Sequence, residues 1–167
     1  MKALDDAARS ELAAMARSIV DANRYLTLSS ADASGLPWIS PVYFAPAGHR
    51  RYLWASSPGS RHSRNIAARP EVAIVVYDST VAVGRGQAVY AAATAGPVPD
   101  DELEDAARVY SARLAAEAYE FGVDDLRAPA SLRLYEARVV QHSVLIRGGD
   151  PEYGSELDRR EPVDLGR

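Results

Sequence analysis

Leu4, Ala8, Leu12, Met15 and Ile19 recur at helical spacing, while Asp5, Asp6, Glu11 and Arg17 fall largely elsewhere, so the chain opens with an amphipathic helix that ends near Asn23. From Tyr25 the texture changes to short runs rich in β-branched and aromatic residues. Strands are predicted over Tyr25 to Ser30, Pro37 to Ala45, Arg51 to Ala55, Val72 to Tyr77, Gly86 to Val98, and Leu132 to Ile146. Ala33-Ser34-Gly35 and Ala47-Gly48-His49 carry turn chemistry and predict two antiparallel hairpins. Ser60 to Arg69 is too polar for a strand and is closed by Pro70, which predicts a short helix starting at Ser60. A further amphipathic pattern runs from Pro99 to near Tyr119, with Leu103, Ala106, Ala107, Tyr110 and Leu114 on one face and an acidic first turn that suits the helix dipole. Six mostly antiparallel strands with three outlying helices predict a small closed barrel, because closure removes exposed strand edges.

Composition narrows this picture. The 167 residues make one domain's worth of chain, long enough to bury roughly 70% of the surface its unfolded form exposes. One domain is predicted over residues 1–147, and the polar, Gly- and Pro-containing run 148–167 is expected to be a loosely held tail or to drape on a partner subunit. Nineteen basic against 23 acidic residues give a net charge of −4, which disfavours a nucleic-acid partner. There is no cysteine, so disulfides, thiolate nucleophiles and zinc ribbons are excluded. No apolar run approaches the ~18 residues of a membrane span, and a soluble cytoplasmic protein is expected.

The stretch Trp54 to Ile66, WASSPGSRHSRNI, carries the most chemistry. A strand ends in hydroxyl residues, a Pro-Gly turn follows, and a helix opens with Ser60 as N-cap and Arg61, His62 and Arg64 in its first turn or so. Free N–H groups at a helix start favour an anion, and guanidinium groups grip phosphate oxygens. The alternative is that Ser60 only caps the helix and the arginines are solvated. Pro41 cannot donate a ladder hydrogen bond, so its strand is an edge, bulged, or open to a ligand. Gly84-Arg85-Gly86 is not a dinucleotide fingerprint, since Val89 stands where glycine is needed and a strand follows. Gln87, ahead of that strand, is a hydrogen-bonding group for a planar heterocycle or simply a solvated strand end. His49, His62 and His142 lack metal spacing, and Asp124-Asp125 read as loop charges.

In order and spacing, SSPGSRHSRNI, ARPEVAIVVYD, GQAVYAAATAGPV and LRLYEARVV resemble the pyridoxamine 5'-phosphate oxidase-like family over residues 8 to 146. Ser-Arg-His-x-x-Asn-Ile ahead of Arg-Pro-Glu-Val is similar to the family's Ser-Arg-Lys-x-x-x-Leu ahead of Asn-Pro-x-Val. The resemblance implies an α+β fold, a six-stranded antiparallel split β-barrel, and a homodimer with two flavin mononucleotide (FMN) sites at the subunit interface. It places Arg61 and His62 on the flavin phosphate with Ser56 and Ser60 nearby, His62 standing where the family has lysine, and Arg64 as a compensating cation. It places Ser40, Pro41 and Val42 along the flavin ring, Trp54 and Ala55 at the entry to the phosphate loop, and Gln87 against the ring from the adjoining strand. The oxidase's C-terminal Trp, Arg and His-Asp-Arg motif is replaced by Gln141-His142-Ser143 and the polar tail, so the resemblance carries the cofactor site and not the pyridoxal phosphate site.

Three functions follow as expectations. The first is a flavin-dependent oxidoreductase that moves a hydride between flavin N5 and a small-molecule substrate. The second is a deazaflavin-dependent reductase whose longer anionic coenzyme tail would engage Arg50, Arg51 and Arg85. The third is a non-catalytic flavin- or heme-binding module, with His142 or His62 as iron ligand.

Overall fold

The computed structural model describes residues 4–115 and 121–166. Helix α1 (Asp6–Ala22) starts at the N-cap Asp5, whose carboxylate accepts from Ala8 N–H at 2.9 Å, and stops at Asn23. Its fully buried stripe is Leu12, Ala13, Ala16 and Val20, with Leu4, Met15 and Ile19 at the rim. The stripe is turned from the predicted one because small Ala13 and Ala16 let the helix approach the sheet closely.

Eight strands follow: β1 (Tyr25–Ala31), β2 (Pro37–Tyr43), β3 (Ala45–Ala47), β4 (Arg51–Ser56), β5 (Glu71–Tyr77), β6 (Ala88–Pro97), β7 (Arg133–Ile146) and β8 (Arg159–Val163). The spatial order is β2-β1-β5-β6-β7-β4-β3, all pairs antiparallel, with β8 on the outer half of β7 beyond β4. This curled sheet with peripheral helices is the split barrel. The strand count corrects the predicted six in two places. The run Pro37 to Ala45 breaks at Phe44, whose N–H leaves the ladder for Arg24 O at 3.1 Å. Its first part then pairs with β1 and its last with β4, so one continuous segment supplies both ends of the sheet. β6 opens at Ala88, leaving Gln87 in the preceding loop.

The segment 148–166 is not loosely held. β8 pairs with β7 from His142 to Ile146, and Leu165 is 2% exposed in the main core. That core lies between α1 and the inner sheet face, around Leu26, Leu28, Phe44, Tyr52 and Trp54. Each such side chain contributes roughly 1.5–3 kcal/mol by leaving water. A second core forms under α3 (Leu103–Ala115), which buries the predicted Leu103, Ala106, Ala107, Tyr110 and Leu114 against Leu53, Val98 and Leu134. The predicted end of this helix near Tyr119 lies outside the described residues. A charged cluster ties α3 to the sheet: buried Glu136 accepts from Arg51 and Arg138, and both arginines also pair with Glu102.

Candidate functional site

Side chains alternate along a strand, and on two strands that alternation leads from the core to the barrel mouth. Phe44, just past the end of β2, and Val42, Ser40 and Trp38 on it form the inner row, running from fully buried to 39% exposed. On β4 it is Tyr52, Trp54 and Ser56. Each row ends its apolar part at a serine. α2 (Arg61–Ala68) sets its first turn between these two serines, and Asn65 anchors the helix by donating to Ser30 of β1 at 3.1 Å.

Ser60 is the N-cap, as predicted: its Oγ accepts from Ser63 N–H at 3.4 Å and donates to Ser63 Oγ at 2.8 Å. Ser60 N–H closes a turn onto Ser57 O at 3.0 Å, which holds the loop 57–60 at the helix start. His62 spans the gap between the strands. Its Nε2 lies 2.7 Å from Ser56 Oγ and its Nδ1 3.1 Å from Ser40 Oγ. Burial lowers the His62 pKa below its ordinary value, so the ring is neutral at pH 7. Arg61 lays its guanidinium 4.3 Å from the Trp38 ring centroid and makes no ion pair among the described residues. Arg64 reaches back to Gly59 O, across the same loop. The cluster thus holds two cations, several hydroxyls and a neutral imidazole, with no carboxylate among the described residues bonded to any member. Such a donor set fits a phosphate monoester.

The remaining predicted residues are placed differently. Pro41 is exposed on the outer face of β2, opposite Thr27, on a strand paired only with β1 among the described residues. Val42 and Trp54 point into the main core, Trp54 stacked on Tyr135 at 5.8 Å between centroids, and Ala55 packs toward the α3 core. The structure does not bring these three side chains to the cluster. Gln87 is not brought to the cluster: it donates to Met15 Sδ at 2.7 Å, beside Arg85 in a cavity under α1. Arg50 pairs with Asp164 at 3.0 Å on the surface, both side chains exposed, and Arg51 pairs with Glu102 and Glu136. His142 is 5% exposed, with Nε2 2.9 Å from Tyr52 Oη, and His49 pairs with Asp21 at 2.9 Å. Trp38 went unpredicted, although it stands two residues before Ser40 and so shares its face.

On the outer sheet face, Ile39, Ser29, Ala73, Ala92 and Gln141 align across five strands. Small Ser29, Ala73 and Ala92 at the centre of this row leave a trough of about 440 Å³ that passes beside Tyr90, over which Arg160 lies at 3.7 Å. Among the described residues no three His, Cys, Asp or Glu side chains converge on a metal site, and no helix is long and apolar enough to cross a membrane.

A curled antiparallel sheet with a helix start set between two of its strands defines the molecule as a split β-barrel. A sequence model of pyridoxamine 5'-phosphate oxidase matches residues 12–144, and the chain belongs to that family. A heme-binding protein from Mycobacterium smegmatis superposes with a TM-score of 0.68 at 21% identity, covering 90% of this chain and 57% of that one. The heme storage protein HutZ from Vibrio cholerae gives 0.63 at 25% identity, covering 82% and 95%. An FAD-binding protein from Mesorhizobium loti gives 0.61 at 21% identity, covering 78% and 91%. No curated protein is significantly similar in sequence.

Proposed function

We propose that the chain is an FMN-dependent oxidoreductase that works as a homodimer on a small organic substrate. The observation that carries this reading is Arg61, a cation that makes no ion pair among the described residues, held over Trp38 beside the hydroxyls at the α2 start. Arg61 and the hydroxyls of Ser40, Ser56 and Ser60 would hold the phosphate, with Arg64 adding positive field from the loop side. Bound FMN supplies hydride transfer at N5. The protein orients the cofactor and keeps bulk water from the inner rows behind Ser40 and Ser56. A second protomer seated on the outer trough would bring its own Gln87 and loops toward the site. Two of the similar structures are of proteins named for heme, which makes heme the competing occupant. Against it, His62 and His142 already spend ring nitrogens on hydroxyl partners.

The absorbance spectrum of freshly purified protein, followed by titration with FMN and with riboflavin, tests the reading. FMN is expected to bind more tightly than riboflavin. Charge-assisted hydrogen bonds contribute roughly 1.5–3 kcal/mol, so Arg61→Gln is expected to weaken FMN about 10- to 100-fold and riboflavin hardly at all. A heme spectrum with no response to FMN would overturn it.

A further inference from the structure

The direction of hydrogen-bond donation around His62 can be worked out from the far end of its row. Ser60 Oγ donates to Ser63 Oγ at 2.8 Å, so the 3.2 Å contact between Ser56 and Ser60 is donated by Ser56. With its proton so engaged, Ser56 accepts at its 2.7 Å contact with His62, and Nε2 carries the hydrogen. A neutral imidazole has one N–H. Nδ1 is therefore bare and accepts from Ser40 Oγ at 3.1 Å. Donation runs one way, from Ser40 on β2 through His62 to Ser56 on β4 and into α2, and it consumes the Ser40 hydroxyl proton.

We propose that His62 is a proton-coupled latch for the phosphate: as the anion binds against Arg61, His62 takes up a proton on Nδ1, reverses its hydrogen bond with Ser40, and frees the Ser40 hydroxyl to donate to the anion. The inference rests on the phosphate reading of this site. A lysine at this position would be charged before the ligand arrived. His62 instead becomes charged because the ligand arrives, since a nearby dianion favours the imidazolium.

The surroundings leave that decision to the ligand. β2 contains no ionisable side chain except Tyr43, at its core end, and the sole charge on β4, Arg51, lies at the far end bound to Glu136. α2 itself presents Arg61 and Arg64, both of which oppose protonation. Asp32, in the β1–β2 turn, has its carboxyl hydrogen-bonded by Ser34 and Leu36, lies within the field of Arg61, and bonds to no member of the row. Burial acts in the same direction as the arginines, toward a neutral ring in the free chain.

Isothermal titration of the full chain with FMN at pH 7.5, in two buffers of different ionisation enthalpy, reads the coupling directly. The expected result is uptake of roughly half to one proton per FMN, with affinity falling about 3- to 10-fold per pH unit from about pH 6.5 to 8.5. Below that window the phosphate's own second ionisation, near about 6, intervenes. Riboflavin should bind with no uptake, and His62→Lys should bind FMN with no uptake and a flat pH response. Independently of any variant, the proton NMR resonance of the His62 ring should move to its protonated position when FMN is added at pH 7.5. FMN binding with no proton uptake and an unmoved resonance overturns the latch and leaves the phosphate site standing. Failure of both FMN and inorganic phosphate to bind overturns the site, and the latch with it.

Discussion

His142 shows how a single buried side chain can govern the acid limit of this protein. Its ring faces the core from β7, hydrogen-bonded to Tyr52 Oη, and its pKa is lowered to about 4, first by burial and then by the field of Arg50. Burial pushes the Tyr52 hydroxyl the other way, well above its ordinary value, so both partners stay neutral. The folded chain thus resists a proton that the unfolded chain accepts near pH 6.5. The resulting stability is present above about pH 6.5 and is lost as pH falls toward about 4, to a total on the order of 3 kcal/mol. Urea denaturation at pH 7.0, 5.5 and 4.5 should show this loss, and His142→Gln should flatten it. Sequence alone could not reveal the pairing, because Tyr52 and His142 are ninety residues apart and the β4–β7 ladder pairs Tyr52 with Ala137, five residues short of His142. Ser60, Arg61 and His62 were legible because a cap and a first turn are local. Trp38 shared a face with Ser40 but needed the position of α2 to become part of the site.

At the scale of elements, the C-terminal segment departs most from its sequence signature. Residues 148–166 are rich in charge, Gly and Pro, yet they carry β8 and a Leu165 that fills the space between α1 and the sheet. Tyr153, Leu157, Val163 and Leu165 are too scattered in this polar run to give a periodicity to read, and the burial of Leu165 depends on the edge that β7 leaves free beyond β4. Leu165→Ala should cost about 2–5 kcal/mol in urea denaturation. Asp164→Asn, next to it, removes an ion pair with Arg50 that is exposed on both sides, and should change stability by no more than about 1 kcal/mol. α3 is the opposite case, since its buried face matches the sequence pattern residue for residue. A helix that covers one core with one stripe carries its partner's position in its own spacing.

The whole molecule leaves an open trough on its outer sheet face, bordered by Ile39 at 63% exposure, with Val140 at 74% in the nearby β-bulge between β6 and β7. If a second copy covers it, as we propose, Ile39→Glu should shift the protein toward monomer in sedimentation velocity and weaken FMN in parallel. The antiparallel barrel class was legible because hairpin turns and alternation are local signals, whereas the eighth strand and the break at Phe44 depend on which edges remain unpaired. That break fixes a length. Ser40 and Phe44 are four residues apart on one segment that serves both ends of the sheet, and side chains exchange faces with every step along it. Removing a single residue between them would turn Trp38 and Ser40 outward and present Pro37 and Ile39 to the barrel mouth. The stretch from Ser40 to Phe44 acts as a ruler for the notch in which α2 sits.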